Sequence, residues 1–209
     1  MTKILTITLA GSLAVLVAGC SSNEPATNTN TTTANTANTA STVPPKSETA
    51  TSGAATSGDV PANVRAVFPD AQSFAAQHKD LSSATISSIE KETGNKVADK
   101  DHHAYLAFST AGGARRQIGA ATVIKAEGQE VVVVYDSKEG SPVIREVRGG
   151  NLPASFLDQF KGRGHDNPLA FGNDIKASGA SEATARAVTS AIKADVLAMQ
   201  SLYGATHSH

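Results

Sequence analysis

Cysteine is almost missing: Cys20 is the one thiol in 209 residues. That excludes an internal disulfide framework and any multi-cysteine metal site. Tryptophan is absent and aromatics make up 4% of the chain. So few rings imply a small core and exclude the stacking surface that single-strand nucleic-acid binders use. An excess of one charge is missing too. Lys and Arg total 18 against 19 Asp and Glu, for a net charge of −1. No broad attraction to nucleic acid is built in, and no nucleic-acid partner is expected.

The only long apolar run is N-terminal. "MTKILTITLAGSLAVLVAGC" has one Lys, then apolar residues over 4–17, then Ala18-Gly19-Cys20. This is the shape of a secretory signal, and the run is too short for a spanning helix. Small residues before a Cys resemble a lipobox, which implies cleavage after residue 19 and acylation of Cys20, palmitate included. The alternative is a plain signal peptide with a chance Cys. Lipidation would leave the mature chain without a thiol, as suits an oxidising compartment, and two or more acyl chains hold firmly to a membrane. The expectation is a membrane-anchored lipoprotein on the periplasmic, extracytoplasmic face. Ser21 and Ser22 carry no acidic retention signal, which favours an outer membrane.

Residues 20–59 are nearly all Ser, Thr, Asn, Ala and Pro. They offer too little apolar area to offset the entropy of ordering and read as a disordered tether. The folded domain is expected over 60–205. "VPANVRAVFPDAQSFAAQ" reads as helical on both sides of Pro69. "DLSSATISSIEKETG" reads as a short helix capped by Asp80 and stopped by Gly94. Strand patterns follow at 103–110, 116–126, 130–136 and 142–149, joined by "AGGA", "EGQ" and "SKEGS". Such short connections favour an antiparallel meander. "VVVV" does not alternate, so its strand should be central and covered on both faces. Pro153 opens a short helix with Phe156, Leu157 and Phe160 as core residues. A last helix is expected from Ser181 to Leu202, with Val188, Ile192, Val196 and Met199 on one face. The fold class is α+β: an antiparallel sheet meander packed with N-terminal helices and a C-terminal helix.

Chemistry concentrates in "NDIKASGASEATARAVTSAI", residues 173–192. Ser178, Gly179, Ala180 and Ser181 stand at a helix entrance, with Glu182 and Thr184 in its first turn. Unpaired N–H groups and the dipole make such an entrance attractive to phosphate. It is equally an ordinary place for capping residues. "SFLDQFKGRGHDNPL" precedes it and "VFPDAQSF" opens the domain. Together, in this order, they resemble the FMN-binding domain family, which includes the flavin-carrying subunits of Rnf- and Nqr-type electron-transport complexes. The resemblance spans residues 60–202. It implies FMN as cofactor, a phosphate cradle over Ser178, Gly179, Ala180, Ser181 and Glu182, and an electron carrier without a substrate of its own. A flavin transferase and a redox partner protein are the implied partners.

The family attaches FMN through the last hydroxyl of Ser/Thr-Gly-Ala-Thr-x-Ser/Thr. Without a gap, that hydroxyl falls on Ala183, which has none. With one inserted residue it falls on Thr184, and "ARAV" also comes into register; this is the preferred alignment, with Ser181 the second choice. "GGNLP" lacks the glutamate that larger relatives carry over the flavin, which implies a simplified pocket. Arg115, Arg116, Lys161 and Arg163 are candidates for a phosphate or a redox partner, or are solvated loop charges. His102, His103 and His165 are read as surface histidines and no metal site is expected, because adjacent strand residues point to opposite faces. His207 and His209 are read as tail. The alternative from another class is a non-redox lipoprotein, an interaction or sensor module with a degenerate form of the fold, favoured by Ala183. A Ser-His-Asp hydrolase is the third reading.

Overall fold

The computed structural model describes residues 52–53 and 59–205. Every described residue lies in one compact unit. The signal peptide and Cys20 lie outside the described residues. So does the tether, except for Asp59 and for Ser52–Gly53, which forms β1.

The elements run α1 (Ala62–Ala66), β2 (Ser73–Asp80), α2 (Ser83–Thr93), β3 (Asp101–Ser109), β4 (Arg116–Ala126), β5 (Gln129–Lys138), β6 (Ser141–Gly149), α3 (Ala154–Leu157) and α4 (Glu182–Tyr203). A 3₁₀ turn, Asp158–Phe160, continues α3. The strands form one six-stranded sheet in sequence order, and every pairing is antiparallel. This is the expected α+β meander. Two of its hairpins close on two residues with positive φ: Glu127 (48°) with Gly128 (70°), and Glu139 (53°) with Gly140 (83°). That is the hairpin geometry whose twist matches the flanking strands.

Two expectations fail locally. Residues 73–77, expected to be helical, form the first part of β2. "SFAAQ" contains good helix formers, but the whole segment pairs in continuous register with β3, from Ser73 opposite Phe108 to Asp80 opposite Asp101. Tertiary pairing overrides the weak local propensity. Asp80 ends that strand, so the cap of α2 is Ser82, whose hydroxyl accepts from Thr85 N–H at 3.1 Å. Gly94 ends α2 in the left-handed region, as expected. The last helix, α4, begins at Glu182 with Ser181 as its cap, within one residue of the expected start.

The sheet is covered on both faces, and "VVVV" records it. Val131, Val133 and Tyr135 join Phe156, Phe160, Ile175 and the α4 stripe of Val188, Ile192, Val196 and Met199. Val132 and Val134 join Val64, Phe68 and Phe74 on the α1 face. All four valines are 0–1% exposed, and burying each removes about 1.5–3 kcal/mol worth of apolar surface from water. Gly119 lets Phe68, two residues beyond α1, approach the sheet this closely. A Cβ there would meet Phe68 Cε1 at 2.7 Å and the Tyr135 carbonyl at 3.1 Å. Gly119→Ala is therefore expected to lower the urea unfolding midpoint by an amount equal to about 1–3 kcal/mol.

One polar cluster fixes α4 on the sheet. Asp195, on the apolar stripe of α4, accepts from Thr122 Oγ1 at 2.5 Å and Tyr135 OH at 2.6 Å on one oxygen. Its other oxygen accepts from His102 Nε2 at 2.9 Å. His102 is 10% exposed, which corrects its reading as a surface histidine: it is the inward member of the adjacent pair. His165 is also largely covered, at 15%, and lies 3.0 Å from Asp166.

Candidate functional site

The site begins with the turn before α4. Ser178 (φ 44°) and Gly179 (φ 93°) are both in the left-handed region. A Cβ on Gly179 would stand 3.4 Å from Pro153 Cγ, so backbone conformation rather than space calls for glycine there. The Ala180 N–H donates to the Ala177 carbonyl at 2.9 Å, closing the turn. Ile175, fully buried, anchors the lead-in. Asp174 holds the loop before it, accepting the Ala170 N–H on Oδ2 at 3.0 Å.

Gln159 positions the turn. Its amide nitrogen donates to Ser178 Oγ at 3.1 Å and to the Lys176 carbonyl at 3.0 Å. Its oxygen accepts the Lys176 N–H at 2.9 Å. Ser155 Oγ donates to the Ser178 carbonyl at 2.8 Å. The two segments that carried the resemblance, "FLDQFKG" and "DIKASGA", are thus bonded to each other. Phe156 and Phe160 are fully buried and Leu157 is 8% exposed, so these three are core, as expected.

At the helix entrance Ser181 Oγ accepts the Thr184 N–H at 3.1 Å and donates to Thr184 Oγ1 at 2.8 Å. That is a conventional N-cap. Thr184 retains its own hydroxyl proton to donate outward. The first N–H groups of α4, at Glu182 and Ala183, have no intrahelical partner by helix geometry. Glu182 is directed along the helix to Arg186, at 2.9 Å, so its carboxylate has a cation beside it. Arg186 also lies over the Phe171 ring, 4.7 Å from the centroid.

Beside this entrance is a cleft of about 680 Å³ lined by Phe171, Leu169, Ala183, Arg186, Ala187 and Lys193 among others. Ligand sites fall in the range of about 300–1,000 Å³. The residues lining it offer a phosphorylated aromatic ligand an arginine and an aromatic wall, and the first-turn N–H groups stand at the neighbouring helix entrance, but none of Ser178, Gly179, Ala180, Ser181 and Glu182 lines the cleft. The lining residues fit a covalent flavin less directly, because Ala183 lines the cleft and Thr184 does not.

The basic residues divide differently. Arg163 donates to the Gln159 carbonyl at 2.6 Å and the Asp174 carbonyl at 3.2 Å, so it braces the loop. Arg115 stacks on Phe108. Arg116 lines a separate cleft with Phe68 and Asp70. None of these three borders the cleft beside α4. Arg186, Lys193 and Phe171 do; from sequence Arg186 stands out only within "ARAV", and Lys193 and Phe171 do not stand out. The visible signal was Arg186 one turn beyond Glu182.

No protein-family model, curated protein or solved structure matches the chain. Among the described residues, no helix is long and apolar enough to cross a membrane.

Proposed function

We propose that this chain is a membrane-tethered, extracytoplasmic FMN-binding module that passes electrons between partner proteins. The observation that carries this reading is the pinned Ser178-Gly179 turn at the start of a 22-residue helix, beside a cleft with Arg186 over Phe171. FMN would supply the redox chemistry, and the protein binding and orientation. Ser178 to Glu182 would cradle the phosphate. Arg186 would balance its charge and Phe171 would wall the ring system. The Thr184 hydroxyl would hydrogen-bond the phosphate, or would become its ester where a flavin transferase moves the flavin phosphate from a dinucleotide donor and releases the donor's other nucleotide. The tether and an acylated Cys20 would keep the module at the membrane within reach of its redox partner.

The second reading is a non-redox interaction or sensor module, and Ala183 favours it, because the residue lining the cleft has no hydroxyl. Expression in a periplasm that contains a flavin transferase separates the two. The expected result is bound FMN, released on denaturation or retained on the denatured band, with Thr184→Ala abolishing any retained fluorescence and weakening reversible binding at least about tenfold. An unlabelled protein that also fails to bind FMN on titration supports the non-redox module.

A further inference from the structure

A second constellation lies on the other face of the sheet, independent of the flavin reading. His78 on β2 stands directly opposite His103 on β3. Asp101 is two residues before His103, so strand periodicity puts it on the same face. His78 Nδ1 is 3.2 Å and His103 Nε2 is 2.7 Å from the same oxygen, Asp101 Oδ2. The two rings lie 4.0 Å apart between centroids. All three donor atoms fall within 4.8 Å of one another. The side chains are 52% (His78), 50% (His103) and 35% (Asp101) exposed. Among the described residues this is the one group of three or more potential ligands so gathered.

We propose that His78, Asp101 and His103 form a solvent-open binding site for a late first-row divalent cation, Zn²⁺ or Cu²⁺. Two imidazoles and one carboxylate are the donor set that suits these ions, and three protein ligands leave a coordination position for water or a further ligand. Bonds of about 2.0–2.2 Å space tetrahedral donors about 3.3–3.6 Å apart. The His78–Asp101 spacing is near this range. Asp101–His103 has to open slightly, which exposed side chains accomplish by small rotations. Each ring now directs an N–H at the carboxylate, and ligation moves that proton to the other ring nitrogen.

The surroundings are anionic. Asp80 stands opposite Asp101 in register, and Asp99 Oδ1 accepts the Asp101 N–H at 3.0 Å. Lys100 is engaged by Asp80 at 2.5 Å, so the nearby cation is tied to a different carboxylate. Burial works to raise the Asp101 pKa, but hydrogen bonds and charge from His78 and His103 outweigh it and hold the carboxyl below its ordinary value. The three ligands come from two adjacent strands, so the ion would also clip β2 to β3.

The test is titration of the full chain with Zn²⁺ alone, in a non-chelating buffer and without an added histidine tag. The expected result is one saturable Zn²⁺ per chain, tighter binding of Cu²⁺, and no comparable binding of Mg²⁺ or Ca²⁺. His78→Gln and His103→Gln should each weaken Zn²⁺ binding at least about tenfold. The double variant should abolish the Zn²⁺-dependent rise in melting temperature while keeping the metal-free melting temperature. Electron paramagnetic resonance of the Cu²⁺ form should report two nitrogen ligands. A His207→Gln/His209→Gln variant should bind as the parent does. Binding that survives in the His78→Gln/His103→Gln double variant, binding lost with His207 and His209, or no saturable binding would each overturn the proposal.

Discussion

Asp195→Ala is expected to destabilise the fold by about 3–5 kcal/mol, as measured by urea unfolding followed by circular dichroism. The carboxylate receives donors from three strands: His102 on β3, Thr122 on β4 and Tyr135 on β5. Thr122 is 1% and Tyr135 2% exposed, so removing the acceptor strands both hydroxyls away from water, at about 1–3 kcal/mol for each unsatisfied group. The cavity adds to that loss. Asp195→Asn keeps the shape but turns an amide N–H toward groups that are themselves donors, and should cost less than the alanine variant without being neutral. The effects should not add. Asp195→Ala with Tyr135→Phe should cost less than the sum of the single changes, because the second removes a donor that the first has already orphaned. Against a net stability of about 5–15 kcal/mol for a typical domain, Asp195→Ala takes a large fraction. The consequence reaches the candidate site. Ser181 lies fourteen residues before Asp195 on the same helix, about 20 Å at 1.5 Å per residue. A helix free to rotate on the sheet would move its N-terminus relative to Gln159.

The sheet was legible because its signals are local. "VVVV" states burial on both faces in four letters. The Glu-Gly pairs at 127–128 and 139–140 mark hairpins whose positive φ values are observed. β2 was not legible, because its evidence is its partner: "SFAAQHKD" becomes a strand only when β3 lies alongside it. The α2 cap slipped for the same reason, since Asp80 was already committed to β2.

The candidate site divides along similar lines. Ser178, Gly179 and Ser181 declared a turn and cap by their residue types, and the fold uses them so. What made the turn rigid was Gln159, a residue whose importance depends on reaching across nineteen positions to Ser178. Asp195 carried a readable signal, a carboxylate on an otherwise apolar stripe. Its partners came from three different strands and could not be named in advance. The histidines are the clearest instance. Alternation along β3 correctly separates His102 from His103, but it led to the conclusion that no pair could gather. His78 follows directly after "SFAAQ", and the helical reading of that stretch hid the strand that sets His78 opposite His103.

Stability is also expected to fall steeply with alkali, through two tyrosines. Burial, reinforced by the charge of Asp195 and the hydrogen bond to it, pushes the Tyr135 phenol well above its ordinary value. Burial, with the charges of Asp101 and Asp195, pushes Tyr203 up to about 12. In the unfolded chain both phenols ionise near about pH 10. In the fold they keep their protons. Above about pH 10 the unfolded state sheds protons that the native state retains, so it is the unfolded state that gains. Stability conferred by the protonated phenols is complete below that pH and declines as pH rises toward the folded values. Tyr135 alone should contribute a slope of about 1.4 kcal/mol per pH unit. Tyr203, partly reached by solvent, should add a shallower term that levels off near about pH 12. Tyr135→Phe makes the two regimes separable. Near neutrality it should be less stable than the parent by about 1–2 kcal/mol, because Asp195 loses a donor. Its stability should then fall less steeply above about pH 10, so that the two curves converge and cross. Urea midpoints of both proteins across about pH 7–12, read alongside phenolate absorbance, would show the crossing. Parallel curves with the same alkaline slope would mean that Tyr135 ionises in the fold as readily as in the unfolded chain, and that its bond to Asp195 does not hold the proton.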